Sequence, residues 1–343
     1  MITERIFGEI KGIGIPEVTL HNAAGMEVSI LAYGATVRSV LVPTASGKKV
    51  EVCLGYDSIE EYVENSGHFG GSIGRFANRI ANAEFDLDGV HYTLAPNTPP
   101  NHLHGGIHGW DSKIWEYTTN KEENSVTFTC KSADGEEGYP GEVHAAGKFT
   151  LTEDNRMVIE YFAETDKATP INMTNHWYFN MNGHASGDVL DHELQLFADS
   201  YTETDSGLVP TGKVLPVEGT ALDFREMKSI RRDFDQVKDL ATKGYDNNLI
   251  LGKPGEFKVF AILRGDKTGI TMTGSTNMEA VQLYTGNSIT DRKGKEKAQY
   301  TRFSGMCLEP HHYPNCVNIP EFPTATLRPG EKYYHHTEFK FEG

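Results

Sequence analysis

The stretch "KFTLTEDNRMVIEYFAET", residues 148–165, decides the fold class. Phe149 and Leu151 alternate with polar neighbours, a polar Glu-Asp-Asn step follows, and Met157, Ile159 and Tyr161 resume the alternation. A period of two sends successive side chains to opposite faces of an extended chain. Two such runs joined by turn formers predict an antiparallel hairpin. The same pattern recurs in both directions. "GMEVSILAYG" sets Met26, Val28 and Ile30 against Glu27 and Ser29, and "KKVEVCLGY" groups Val50, Val52 and Leu54. "FKVFAIL", "GITMTG", "EAVQLYTG" and the terminal "TEFKFEG" repeat it. The 35 glycines and 15 prolines are spread along the chain, as many short strands and turns require. These features predict an all-β protein, a large antiparallel β-sandwich with few short helices. The helical candidates are "DSIEEYVEN", after Asp57 as a cap, and "DFREMKSIRRDF" followed by "QVKDL". The charge run "DRKGKEKAQYTR", 291–302, reads as a solvated loop. No composition shift or repeat divides the 343 residues, so one domain spanning 1–343 is expected.

The charge balance narrows the partners. Against 32 basic side chains stand 48 acidic ones, a net charge of −16. Such a surface repels phosphate, which argues against nucleic acid and, less strongly, against anionic membranes. A neutral small molecule suffers no such penalty. Cys53, Cys130, Cys307 and Cys316 form no C-x-x-C pair and no disulfide framework. The opening "MITERIFGEI" lacks a basic start followed by an apolar run, and no stretch of about 18 apolar residues occurs. A cytoplasmic protein with reduced thiols is expected.

Six segments carry groups able to do chemistry. In "TNHWYFNMNG", 174–183, alternation puts Asn175, Trp177, Phe179 and Met181 on one face, and Thr174, His176, Tyr178 and Asn180 on the other. The first face suits a core. The second meets solvent or lines a polar cleft, and a lone histidine there is more often a plain hydrogen-bonding residue. "NHLHGGIHGW", 101–110, places His102, His104 and His108 about a Gly-Gly pair. H-x-H spacing occurs at zinc sites, but no carboxylate follows at a matching distance, so metal is not expected; the glycines permit close backbone approach. "GGSIGRFANRI", 70–80, is no phosphate loop but offers Arg79 as a planar fork of donors beside Asn78. Asp246 in "GYDNNLIL" reads alone as a turn residue. Gln282 and Tyr284 share a face in "VQLYTGN". Glu309, in "CLEPHHYPN", ends an apolar segment ahead of Pro310. A buried carboxylate is costly without partners, which makes it a candidate base.

In order and in separation, "GRFANRI", "NHLHGG", "TNHWYFNMNG", "GYDNNLIL", "VQLYTG" and "LEPHHYPN" resemble the galactose mutarotases, or aldose 1-epimerases. The resemblance spans nearly the whole chain. It implies a mutarotase-like supersandwich with an open sugar cleft on one sheet. It also implies roles: His176 as the acid that protonates the sugar ring oxygen, Glu309 as the base at the anomeric hydroxyl, His104 near the ring oxygen, and Asn78, Arg79, Asp246 and Gln282 on the other hydroxyls. Tyr178 would lie beside the acid. The partner implied is a monosaccharide, the chain a monomer or homodimer, with no metal or organic cofactor. Two other readings stay open: a hexose-6-phosphate 1-epimerase, which calls for extra basic residues at the cleft where only Arg75 and Arg79 stand in a motif, and a non-catalytic sugar-binding protein, which has no need of both His176 and Glu309. Trp177, Asn247, Asn248 and the His311-His312 pair depart from the family pattern and are expected to alter the cleft rim.

Overall fold

The structure, a computed structural model, describes residues 1–64 and 67–343. The hairpin of 148–165 forms as expected. Strands Val143–Leu151 and Arg156–Thr165 pair antiparallel, with Phe149 opposite Ile159 and Leu151 opposite Met157. Between them Asn155 takes a left-handed backbone, φ 60°, and the Thr152 hydroxyl donates to Asp154 at 2.6 Å. Local side-chain bonding of this kind closes a turn without help from the rest of the molecule.

That hairpin supplies the third and fourth strands of a nine-stranded antiparallel sheet. From one edge to the other it runs Glu116–Asn120, Ser125–Ser132, the hairpin, Tyr333–Glu342, Thr271–Thr276, Lys258–Arg264, Glu193–Leu196 and Lys228–Ser229. The C-terminal strand therefore closes the centre, pairing with Arg156–Thr165 on one side and Thr271–Thr276 on the other. An N-terminal five-stranded meander covers residues Ile2 to Glu51. A second five-stranded sheet is ordered Pro210–Pro216, Ser200–Thr204, Asp246–Ile250, Ala280–Tyr284 and Cys307–His311. One continuous core draws Val18, Val28 and Val40 from the meander, Phe128, Phe149 and Phe339 from the large sheet, and Leu249, Leu283 and Leu308 from the third. Every one of these is an alternate residue of its strand, so the inward faces of three sheets share one apolar interior.

Three expectations change. Helix Ile59–Glu64 is the one α-helix among the described residues, and its cap is Ser58 rather than Asp57. Ser58 and Glu61 bond reciprocally, Ser58 N–H to the carboxylate at 3.1 Å and Glu61 N–H to the hydroxyl at 3.4 Å, a capping box. Asn65, predicted as its last residue, lies outside the described residues. "DFREMKSIRRDF" is not an α-helix: Lys228–Ser229 joins the large sheet as an edge strand and a 3₁₀ segment, Ile230–Gln236, follows. Opposite Leu194, the strand bonds outweigh a helical pattern that depended mostly on charged residues. The charge run 291–302 is only partly solvated. Lys295 and Tyr300 are buried, and the Lys295 ammonium pairs with Glu51 at 3.0 Å and donates to the Arg38 carbonyl at 2.9 Å.

Candidate active site

The segment 174–181 keeps its predicted alternation from His176 to Phe179 while making little strand of its own. Only Thr174–Asn175 pairs regularly, with Ser72–Ile73. Beyond it, Phe179 bridges to Cys53 and Met306. Trp177, Phe179 and Met181 enter the common core, and Trp177 packs on Phe179 and Phe339. Trp177 thus faces away from the cleft and does not shape its rim. His176 and Tyr178 face the other way. Thr174 and Asn180, assigned to the same face, are buried among backbone instead; the Asn180 amide donates to the carbonyls of Gly187 and Ser304 at 3.0 and 2.9 Å.

His176 and Tyr178 open onto a cleft of about 490 Å³, and all eight residues named from the sequence line it: Asn78, Arg79, His104, His176, Tyr178, Asp246, Gln282 and Glu309. Strand register explains the convergence. Asn248, Gln282 and Glu309 are direct cross-strand neighbours on three adjacent strands, and Asp246, Tyr284 and Cys307 form the next row. Side chains two apart along a strand share a face, so these two rows carpet one side of the sheet. Gln282 donates to the Asp246 carboxylate at 2.6 Å. His176 reaches the same floor from a different segment, its Nε2 3.8 Å from Glu309 Oε2.

The opposite wall is built by glycine-rich loops. Asn78 and His104 bond reciprocally: His104 N–H donates to the Asn78 carbonyl and Asn78 N–H donates to His104 Nδ1, both at 3.1 Å. A backbone donor on Nδ1 requires a lone pair there, which leaves the proton on Nε2. Both residues have left-handed backbones, φ 65° and 51°. Gly105 is needed next to them, since a Cβ there would stand 2.0 Å from the Gly74 carbonyl oxygen. His102 does not join His104. Its nitrogens are taken by the Ala95 carbonyl at 2.8 Å and the Tyr139 hydroxyl at 2.7 Å, so the H-x-H pair does not converge on a metal. Arg75 also turns away: its guanidinium is buried against Ser132 and the carbonyls of Pro140, Gly141 and Ala133. Neither His311 nor His312 lines the cleft: His311 is buried and its Nδ1 faces the His312 carbonyl at 2.5 Å, and His312 bonds the buried Glu279 at 2.7 Å.

The site's electrostatics follow from burial. The Glu309 carboxyl is raised well above its ordinary range by desolvation and by the nearby Asp246 charge, with Arg79 opposing. Asp246 is raised too, by burial, against Arg79 and the Gln282 bond. His176 is lowered to about 3, first by burial and then by the charge of His68. Burial also holds the Cys307 thiol far above its usual value, so it keeps its proton. That thiol lies 3.5 Å from His176 Nδ1 and is the donor there, which puts the proton of a neutral His176 on Nε2, facing Glu309. His176, Cys307 and Glu309 each bring a possible ligand atom within 4.8 Å of one another. A protonated thiol is a poor metal ligand, which disfavours a metal at this cluster.

Two lining residues had no place in the sequence-based assignment of the site. Tyr284, seen only as a neighbour of Gln282, closes the cleft by an edge contact with Tyr178 at 6.1 Å. His68 stacks beside His176 at 5.8 Å and tilts against His104 at 4.9 Å. Its signal, a histidine just before Gly70-Gly71, reads as a turn until the partner Asp111 is known.

Comparison with known proteins places this arrangement. The family model described as aldose 1-epimerase matches residues 16–340. The chain is 40% identical over 342 residues to a galactose mutarotase of Homo sapiens, covering 99% of this chain and 98% of that one. It is 39% identical over 331 residues to an aldose 1-epimerase of Escherichia coli strain K12, covering 94% of each. A solved structure of a GalM/aldose epimerase homologue from C. elegans superposes with a TM-score of 0.89 at 30% identity, over 95% of this chain and 98% of that one. With the six motifs lining one cleft and relatives matching along almost its full length, the chain belongs to the aldose 1-epimerase family.

Proposed function

We propose that this chain interconverts the α- and β-anomers of free aldohexoses such as galactose and glucose, with His176 and Glu309 as the acid–base pair. The observation that carries this reading is their meeting at 3.8 Å, from distant parts of the sequence, on the wall and floor of one cleft. Mutarotation requires a proton to reach the ring oxygen while another leaves the anomeric hydroxyl. The ring then opens, C1–C2 rotates, and closure reverses both transfers. No redox step or strong nucleophile takes part.

The pair holds one proton between its members. Burial favours a neutral imidazole and a protonated carboxyl. The reacting arrangement is the isomer with the same proton count, imidazolium and carboxylate. Sugar hydroxyls donating to Glu309, beside the Arg79 charge, favour that isomer, because hydrogen bonds to a charged form stabilise it. His176 Nε2–H then protonates the ring oxygen, Glu309 takes the anomeric proton, and His104 Nε2–H steadies the ring oxygen. Arg79, Asn78, Asp246 and Gln282 hold the remaining hydroxyls, and Tyr178 offers an aromatic face. We read the continuous core as one domain, and the four free thiols support a reducing cytoplasmic setting.

His176→Asn and Glu309→Gln are each expected to lower kcat by about 10²–10⁴-fold with the melting temperature near that of the parent. Polarimetry of fresh α-D-galactose reads the rate. Near-parental rates in both variants overturn the assignment. Running a hexose 6-phosphate alongside tests the phosphate reading. Arg75 cannot serve it, and Arg79, Lys243 and Arg302 at the cleft are the basic groups that would.

A further inference from the structure

His68 is the third histidine of the cleft, and its setting differs from the other two. Asp111, on the 3₁₀ turn Trp110–Ser112, accepts from its Nδ1 at 2.6 Å. The segment carrying it is tied to the acid itself: Gly70 N–H donates to the His176 carbonyl at 2.8 Å, and His176 N–H donates to the Gly71 carbonyl at 2.9 Å. His68 sits at φ 55°, the left-handed region shared by Asn78 and His104. Such strain in a non-glycine residue persists where the surroundings over-determine it and clusters at ligand sites. Three wall residues of one cleft with this conformation form such a cluster.

His68 lines the same cleft and packs its ring on His176 at 5.8 Å and on His104 at 4.9 Å, while the group that approaches Glu309, at 3.8 Å, is His176. A pyranose ring oxygen has two carbon neighbours, the anomeric carbon and C5. If Glu309 serves the anomeric side and the two histidines serve the ring oxygen, the next position along this wall is C5 and its hydroxymethyl group.

Resting on the orientation proposed above, we propose that His68, anchored by Asp111, binds the C6 hydroxyl and makes the enzyme prefer aldohexoses to the matching aldopentoses. Asp111 fixes the ring and occupies Nδ1. Nε2 is then an acceptor in the neutral ring and a donor in the charged ring, and a primary hydroxyl satisfies either. Burial alone would push this imidazole down; the charge and hydrogen bond of Asp111 more than reverse it, which favours the donor form relative to a free imidazole. A site built to bond a hydroxyl disfavours the analogue without it, because its own polar group is left unpaired.

The test compares D-galactose with L-arabinose, which has the same ring configuration without C6, and with 6-deoxy-D-galactose, which lacks only the hydroxyl. His68→Asn, which tolerates a left-handed backbone, and His68→Phe are measured by polarimetry with separate kcat and KM. The expected result is a fall of about tenfold in kcat/KM for galactose, mostly in KM, and less than about threefold for the other two sugars. Asp111→Asn is expected to give a smaller loss of the same pattern. Equal losses on all three sugars, or none, overturn the inference, and the ratio between sugars is independent of how much enzyme folds. Loss of activity in His176→Asn and Glu309→Gln together with an unchanged sugar ratio in the His68 variants would reject this inference alone. Retained activity in those two variants would reject the underlying orientation.

Discussion

At the scale of single residues, Cys307 decides which nitrogen of His176 carries a proton. Its buried thiol stays protonated and faces Nδ1, so Nε2–H points to Glu309. The pair then titrates as a unit. With His176 lowered to about 3 and Glu309 raised, the one-proton state extends from about pH 3 to above the ordinary carboxylate range. On the assignment proposed above, acid removes activity only when the imidazole gains a second proton, near pH 3. Base removes it when the carboxyl loses its proton, above the ordinary carboxylate range. The acid limb of kcat/KM is therefore expected near pH 3 and not near about pH 6.5, where an unperturbed histidine would show it. A rate that falls on acidification with a midpoint near the latter value, after subtracting the spontaneous reaction, would contradict the buried pair. The same thiol bears on metal. Zinc would have to displace its proton, so dialysis against a chelator is expected to leave the rate unchanged. A loss restored by zinc would instead make His176, Cys307 and Glu309 a metal centre.

At the scale of elements, strands were legible where one face is core and the other is not, because the period of two is then written into residue type. Phe149, Leu151, Met157 and Ile159 stand in their expected register for that reason. Glu309 was legible as a carboxylate ending an apolar run. The 223–234 segment was not, because pairing of Lys228 with Leu194 is a tertiary fact. His68 was not, because its meaning lies in Asp111, on a different loop. Arg75 illustrates the same limit. Its motif suggests a ligand-binding arginine, yet its guanidinium ties Ser132 and three carbonyls into the base of the 70–80 loop. Removing it strands several buried acceptors, and losses of this kind cost about 3–5 kcal/mol. Arg75→Met is thus expected to lower the melting temperature by several degrees. KM for galactose should stay within about twofold in the folded fraction. A KM rise with unchanged stability would return Arg75 to the cleft.

At the scale of the molecule, the acid response comes from histidines sealed in a β interior. Burial lowers His176 to about 3, His192 to about 4, His311 to about 4 and His335 to about 3. An unfolded chain returns each to about 6.5. Between those values the unfolded state binds more protons, so stability is full above about pH 6.5 and falls as pH drops toward the folded values. Glu309 and Asp246 act in the opposite sense: raised in the fold, they favour it as pH falls. His102, His104 and His184 are lowered as well, so the lowered histidines outnumber the two raised carboxyls, and the net expectation is a melting temperature that falls between pH 7 and pH 5. His335 isolates the cause, since it lies outside the cleft, donating Nδ1–H to the Met173 carbonyl at 3.0 Å with Nε2 2.7 Å from the Thr337 hydroxyl. His335→Asn removes one titrating group. Calorimetry should show a lower melting temperature at pH 7 together with a shallower decline toward pH 5. A decline as steep as the parent's would mean that the acid sensitivity arises from the surface ion pairs and not from the buried imidazoles.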